Sequence, residues 1–148
     1  MPSLAESGTR DAMVARISRL SPDATPAWGR MTAPQMLAHC ADALRMAYGD
    51  LPCAAKNVPL ARLGIVKWLM LNVIPFPKGA PTARELISRA PAAWGDEREA
   101  VVALIERFAR ESGRASWPAH PLFGAISGAE WGQLAWKHLD HHLRQFGV

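Results

Sequence analysis

The chain carries three sequence patterns that start α-helices and no comparable pattern that starts β-strands. The helix-starting patterns cover residues 32–35, 96–99 and 127–130. In each, a Thr, Asp or Ser is followed three residues later by Gln or Glu, so that each side chain can accept a hydrogen bond from the other residue's backbone N–H. The sequence contains no clear run of alternating apolar and polar residues and no Asn-Gly or Asp-Gly turn. It therefore predicts an all-α fold.

The positions of apolar residues, glycines and prolines divide the chain into five predicted helices. In the first, Met13, Ile17 and Leu20 recur at the spacings of a helix with one buried face. Gly49 and Gly113 follow two of the other apolar runs, as glycines commonly do where helices end. A bundle buries the apolar faces of the four long helices most economically. The predicted helices are Thr9–Leu20, Thr32–Tyr48, Leu60–Ile74, Asp96–Gly113 and Ser127–Phe146.

The composition is that of one globular domain, which we expect to cover residues 1–148. With 148 residues, 49% of them hydrophobic and 20% charged, the chain is long enough to bury a core without disulfides. Its two cysteines, Cys40 and Cys53, form no paired motif, which fits a reducing compartment. No signal peptide is visible in the first residues, and we therefore expect a cytoplasmic protein.

Membranes and nucleic acids are not expected as partners. The longest apolar stretch, Leu63–Phe76, is shorter than the ~20 residues of a membrane-spanning helix and contains Lys67, which indicates a buried helix. The net charge is +4, but Lys and Arg are scattered singly along the chain rather than clustered on one face. We expect a small-molecule substrate instead. Apolar surface on the 60–76 segment would also allow a homodimer.

Three of the five histidines lie within five residues of the last predicted helix. At ~100° per residue, His138 and His142 are about 40° apart, on the apolar face of that helix. Trp131 and Ala135 share this face, whereas His141 lies at its edge. Because two imidazoles one turn apart can bind the same ion, the pair indicates half of a metal site.

A further histidine on an apolar face, His39, belongs to the second predicted helix and shares its face with Met36 and Met46. Three histidines from two helices would leave a fourth coordination position open, as catalytic metal sites do. His39, His138 and His142 are therefore the predicted metal ligands. Two alternatives stay open: His141 replaces His142 if the helix is rotated, or the histidines are core residues that bind no metal.

Two residues near these ligands are candidate catalytic residues. Asp42 lies about one turn from His39, where a carboxylate would orient a ligand ring or relay a proton. The alternative for Asp42 is an ordinary surface ion pair. His141, beside His142, is the second candidate, and its alternative role is a hydrogen bond to a neighbour or to solvent.

The loops supply candidates for binding a substrate. His120 and Trp117 lie in the loop before the metal-bearing helix and are the predicted substrate-binding residues. Trp131 and Trp136, like Trp117, would either line a pocket or belong to the core. The proline-rich 75–91 segment is a long irregular connection, and we expect it to fold over a site.

Several segments of the chain together resemble the DinB-like superfamily, and within it the DUF1569 branch. They are residues 31–40, 117–124, 130–132 and 137–147, the last of which contains the pattern His-x-x-His-His-x-x-Gln. The resemblance covers most of the chain from about Trp28 onward. It implies an up-down-down-up four-helix bundle with an extra short helix and long loops.

The resemblance also implies a site and a chemistry. His39 corresponds to the first metal ligand of the superfamily, and His138 and His142 correspond to its pair four residues apart. Zinc or nickel is the implied metal, with iron as an alternative, and many members are dimers. Some members are transferases or isomerases that use a low-molecular-weight thiol, which implies such a thiol as a second cofactor.

The expected function is therefore that of a metal-dependent enzyme. Three neutral imidazoles leave the full charge of a divalent ion in place, and such an ion favours loss of the proton from a bound thiol or water. A thiolate would serve a transferase or isomerase, whereas hydroxide would serve a hydrolase. The third alternative is a non-catalytic helical module that binds a ligand.

Overall fold

The computed structural model describes residues 1–79 and 81–148, and the fold within them is entirely helical. Five α-helices are present in these residues and pack as a bundle, in which α2 contacts α4 and α5, and α1 contacts the same two helices. The prediction of an all-α helical bundle is confirmed. The helices are α1 (Ser7–Ser18), α2 (Ala33–Tyr48), α3 (Gly64–Asn72), α4 (Trp94–Glu111) and α5 (Gly128–Gln145), with short 3₁₀ turns at Pro59–Arg62 and Arg84–Leu86.

Helices α2 and α5 begin at the capping boxes that the sequence predicts. Thr32 Oγ1 accepts a hydrogen bond from Gln35 N, and Gln35 Oε1 accepts one from Thr32 N at 2.9 Å. Ser127 and Glu130 make the same reciprocal pair at the start of α5. Each box satisfies backbone N–H groups that the first turn of a helix leaves without partners. These two helices carry all the predicted metal ligands.

Helix α4 begins two residues before the predicted start near Asp96, and the capping pattern predicted there is not formed. The helix begins at Trp94, and its N-terminal flank makes no side-chain cap bond, so Asp96 does not cap it. A different carboxylate, that of Glu97, accepts a hydrogen bond from Ala92 N at 2.7 Å. Glu97 is 2% exposed and is also bound by Arg89, which lies outside the helix. The start of α4 is therefore stabilised by Glu97 rather than by the predicted pair of Asp96 and Glu99.

The sequence predicted one buried helix over residues 60–74. The structure instead has two helical segments here, and most of their residues are at least partly exposed. Leu63 has an extended backbone, with ψ of 132°, and separates the first 3₁₀ turn from α3. Within α3 only Leu71 is buried, while Ile65 and Trp68 are exposed. The reason is that α3 lies on the outside of the bundle, against α5. No helix in residues 1–79 and 81–148 has the length and apolar character needed to cross a membrane.

The C-terminal end of helix α3 is bound to α5 by Lys137. Lys137 Nζ donates hydrogen bonds to the carbonyl oxygens of Met70 at 2.6 Å, Leu71 at 3.3 Å and Ile74 at 2.5 Å. These oxygens belong to the last turn of α3 and its flank, where carbonyls lack partners within the helix. The ammonium therefore fixes α3 and the start of the 75–91 segment beside the middle of α5. Ala80 of that segment lies outside the described residues.

Candidate metal centre

The side chains of His39, His138 and His142 meet between α2 and α5. Their ring centroids are 4.8 Å apart for His39–His138, 4.8 Å for His39–His142 and 4.7 Å for His138–His142. One ring nitrogen from each residue falls in a group whose members all lie within 4.8 Å of one another. His39 is 4% and His142 9% exposed, whereas His138 is partly open to solvent. Three histidines so arranged can hold one metal ion.

The outward nitrogen of His39 faces a backbone carbonyl. His39 Nδ1 lies 3.1 Å from the carbonyl oxygen of Leu86, in the 3₁₀ turn of the 75–91 segment. A carbonyl only accepts hydrogen bonds, so Nδ1 must carry the proton. The lone pair of the neutral ring is then on Nε2, which points towards the other two histidines. The contact fixes both the orientation of this ring and the nitrogen that is available to a metal.

The outward nitrogen of His142 is fixed by an amide. His142 Nδ1 lies 2.8 Å from Gln145 Oε1, and Gln145 Nε2 donates a hydrogen bond to the carbonyl oxygen of Trp28 at 2.6 Å. Because the Trp28 carbonyl needs a donor, it identifies the amide nitrogen of Gln145 and leaves the oxygen for His142. His142 Nδ1 therefore carries the proton, and its Nε2 is the free lone pair. Two of the three rings are set in the tautomer that binds a metal through Nε2.

The third ring is held by the first. His39 Nε2 and His138 Nε2 are 2.9 Å apart, a hydrogen-bond distance. Since His39 Nε2 carries the lone pair, His138 Nε2 is the donor of this bond. The bond aims His138 Nε2 at His39, and for this nitrogen to bind a metal the proton of the neutral ring would have to move to Nδ1. The donor set, three imidazole nitrogens converging on one point, fits zinc, nickel or iron.

Burial keeps these histidines neutral, which is the form that binds a metal. The pKa of His138 is lowered well below its usual value by burial and then by the neighbouring histidines. Burial likewise lowers the pKa of His142 to about 4, and lowers that of His39 against the opposing effect of its bond to Leu86. At neutral pH a metal therefore has no protons of imidazolium ions to displace.

Asp42, a predicted catalytic candidate, lies in a buried ion-pair network. Its carboxylate is 4% exposed and pairs with Arg45 at 2.6 Å and with Arg89 at 3.3 Å. Arg89 also binds Glu97 and donates to the carbonyl oxygen of Ala38, the residue before His39. His39 Nδ1 faces the carbonyl oxygen of Leu86, so a backbone group rather than Asp42 orients this ring.

His141 stands beside the group of three rather than in it. Its ring is 5.1 Å from that of His142 and meets the rings of Trp28 at 5.5 Å and Phe76 at 5.9 Å. It is partly exposed, and burial lowers its pKa. The three nitrogens that converge belong to His39, His138 and His142, so the rotated arrangement with His141 as a ligand is not the one observed.

The predicted substrate-binding residues lie in the loop before α5. His120 Nδ1 accepts hydrogen bonds from Leu122 N at 3.1 Å and Phe123 N at 3.3 Å, and burial lowers its pKa to about 4. It is near enough to His138 that a charge on it would lower the pKa of that ligand. The Trp117 ring stacks on Phe108 at 5.0 Å. Both residues thus support loop structure in the described contacts.

The remaining tryptophans divide between core and surface. Trp131 is 2% exposed, and its indole N–H donates to the carbonyl oxygen of Pro118 at 2.9 Å, so it is a core residue. Trp136 is partly exposed and lines a cleft next to the histidines. Trp28, to which the sequence analysis assigned no role, lines the same cleft.

The sequence analysis also missed the groups that orient the ligands. Gln145 could have been predicted, because side chains three residues apart on a helix are neighbours and Gln145 lies three residues after His142. Leu86 could not be predicted from the sequence, because the group involved is its backbone carbonyl, which the fold of the loop brings to His39. The expectation that the 75–91 segment folds over a site pointed to the correct segment, since Phe76 also packs on His138 at 6.0 Å.

The chain matches a known protein family over almost its whole length. The family model described as "Protein of unknown function (DUF1569)" matches residues 6–147, which include the three histidines, Leu86 and Gln145. A search of curated proteins and a search of solved structures each found no match.

Proposed function

This chain belongs to the DUF1569 family, and from its three-histidine group we propose that it is a metal-dependent enzyme. The observation that carries the proposal is the tautomer of two rings. Leu86 and Gln145 hold the protons of His39 and His142 on Nδ1, leaving both Nε2 lone pairs directed inward. Here two such lone pairs meet a single N–H donor, that of His138, within one group of three rings.

The proposed ligands are His39, His138 and His142, and the proposed metal is zinc or nickel, with iron as an alternative. A divalent ion bound by three neutral ligands lowers the pKa of a thiol or water in its open position. His138 is the least buried member of the group and is partly exposed, so this is the side from which a substrate would approach. The resemblance of the histidine motifs to the DinB-like superfamily favours an S-transferase or isomerase that uses a low-molecular-weight thiol.

A hydrolase is the second candidate, because the same open position would hold hydroxide as readily as thiolate. The two differ in what turnover requires: the transferase or isomerase needs an added thiol, and the hydrolase does not. A non-catalytic ligand-binding module would bind its ligand without changing it. We further propose a small molecule as substrate and a homodimer as the assembly, the latter from the exposed apolar residues Ile65 and Trp68 of α3.

The test is the metal content of the protein, expressed without a histidine tag and measured by mass spectrometry. The His138→Ala/His142→Ala double variant removes two ligands, and His141→Ala is the matched control on the same helix. We expect close to one equivalent of metal in the wild type and in the control, and none in the double variant. Wild-type protein that contains no metal, and takes up none when zinc, nickel or iron is added, would rule out the metalloenzyme.

A further inference from the structure

A cleft of about 330 Å³ lies beside the histidines, between α5 and the segment that follows α3. His141 forms part of its wall, and the ring of His141 is 5.1 Å from that of the proposed ligand His142. Phe76 forms another part and packs on His138, the ligand open to solvent, at 6.0 Å. None of the three proposed ligands lines the cleft itself, so a molecule in it would be one aromatic ring away from the metal centre.

Much of the cleft wall is aromatic. Trp28, Phe76 and Trp136 line it, and all three side chains are partly exposed. Trp28 and Phe76 each meet the His141 ring edge to face, which holds the rings in fixed orientations. Binding sites for small molecules commonly combine aromatic walls of this kind with a few polar groups that fix the orientation. Such walls favour a ligand with a planar, apolar part.

The charged side chains of the cleft that have unused hydrogen-bonding capacity are donors. Lys78 Nζ lies 4.5 Å over the Trp28 ring and forms no ion pair within residues 1–79 and 81–148. Arg144 is 69% exposed in its side chain and pairs with Asp140 through Nε at 3.0 Å, which leaves its terminal nitrogens for other partners. The His141 ring has no hydrogen-bond partner among the described residues.

The other charged groups of the cleft are already paired. Asp140 is held by Arg16 at 2.7 Å as well as by Arg144. The ammonium of Lys137 donates its hydrogen bonds to the carbonyl oxygens at the end of α3. The charged side chains with unused capacity are thus cationic, and the carboxylate in the wall is neutralised. An anionic group would find partners here that a neutral or cationic group would not.

We propose that this cleft is the substrate subsite of the metal centre and that it binds a small aromatic carboxylate. The ring of the ligand packs on Trp28 and Trp136, and its carboxylate accepts hydrogen bonds from Lys78 and Arg144. The subsite rests on the proposed function, because only a bound metal gives a molecule in this cleft a reaction to undergo. The cleft itself exists in the protein without the metal.

The probe is 2-naphthoate, with 2-naphthylmethanol as a ligand of similar shape and no charge. Binding is measured by calorimetry and by the NMR shift of the Trp28 indole N–H, using the full chain. We expect 2-naphthoate to move the Trp28 signal and to bind about tenfold more weakly to the Lys78→Gln/Arg144→Gln variant, as expected for the loss of partly exposed charged hydrogen bonds. Lys56→Gln, which removes an exposed lysine away from the cleft, should leave binding unchanged.

Equal weakening by Lys56→Gln would mean that 2-naphthoate responds to net charge alone, and would overturn the subsite. Equal binding of 2-naphthylmethanol would overturn the preference for an anion. Metal content of the same samples separates the two proposals. Metal without 2-naphthoate binding overturns the subsite and leaves the metalloenzyme standing. Binding of 2-naphthoate by protein that contains no metal and takes up none when it is added supports the cleft as a binding site and overturns the metalloenzyme.

Discussion

The Nδ1 atom of His39 lies 3.1 Å from the carbonyl oxygen of Leu86, so the orientation of this ring depends on the loop before α4. That loop is anchored three residues later, where Arg89 binds the buried carboxylates of Asp42 and Glu97. Arg89 also donates to the carbonyl oxygen of Ala38. An arginine that touches none of the histidines therefore holds the group that orients one of them.

Arg89→Gln is predicted to weaken metal binding through this loop. Without the guanidinium, Glu97 is a buried carboxylate without its cation, and we expect a loss of about 2 kcal/mol in the free energy of unfolding. The freed loop lets Leu86 move from His39, and metal affinity should fall about tenfold. Affinity is measured by competition with a chelator, and the His39 tautomer by ¹⁵N chemical shifts.

Arg45→Gln is the matched control for this prediction. Arg45 pairs with the same Asp42 carboxylate but lies on α2, three residues further along, and does not hold the loop. It should lower stability slightly and leave both metal affinity and the His39 tautomer unchanged. If the two arginine variants lose metal equally, the ion pair matters only for general stability and the loop does not position His39.

Gln145→Leu is predicted to weaken metal binding at the other fixed ring. The change removes the oxygen that accepts from His142 Nδ1 and the amide that donates to Trp28. The proton of His142 is then free to move to Nε2, and loss of such a partner typically costs about 10- to 100-fold in affinity. Gln133→Leu, a change of the same type on the same helix, should have no effect. Equal affinities for the two variants would contradict the role given to Gln145.

The metal-free protein is predicted to lose stability as the pH falls from about 6.5 to 4. The pKa of His142 is about 4 in the folded protein against 6.5 for the unperturbed group, and His39 and His138 are shifted in the same direction. In this window the unfolded chain binds more protons than the folded one, so stability rises with pH, by up to about 1.4 kcal/mol per pH unit for each group. Above pH 6.5 the contribution is constant.

Urea unfolding of chelator-treated protein at several pH values measures this dependence. His142→Gln removes one of the shifted groups and should give a shallower slope between pH 4 and 6.5. A wild-type stability that does not change across this window would mean that the histidines are not held neutral by burial.

Lys137→Met is predicted to loosen α3 without unfolding the bundle. The methionine keeps the apolar stem but loses the three hydrogen bonds to the carbonyl oxygens of Met70, Leu71 and Ile74. Because α3 has only Leu71 buried, few other contacts hold it. Amide hydrogen exchange should accelerate in α3 and stay unchanged in α2. Lys67→Met, which removes a partly exposed pair with Glu130, should have a smaller effect; faster exchange in α2 as well would contradict a local role.

The sequence predicted what depends on local patterns. The capping boxes at Thr32 and Ser127 are formed by residues three apart, and the shared face of His138 and His142 follows from the geometry of one helix. The start of α4 was missed because Arg89, outside the helix, determines which carboxylate is held there. The exposure of α3 was missed because an apolar composition does not reveal how much of a helix its neighbours cover.

The orientation of the ligands was also beyond the sequence, for a related reason. The Leu86 carbonyl is a backbone group, and no side-chain pattern marks it. It lies 47 residues from His39, and the two come together only through the path of the loop. His138 and His39 likewise meet only because α2 packs on α5. The sequence predicts that these helices form a bundle, but not which residues of the two helices face each other.

His39 and His138 are 99 residues apart in the chain, and their Nε2 atoms are in contact. An ion bound by both would close a loop that includes α3, α4 and most of α2 and α5, as a disulfide between the same residues would. Closing a loop of about 100 residues removes much of the freedom of the unfolded chain, worth up to about 4.7 kcal/mol in the polymer description. The same ion that we propose for catalysis would thus act as a reversible cross-link, and the bundle could open fully only after releasing it.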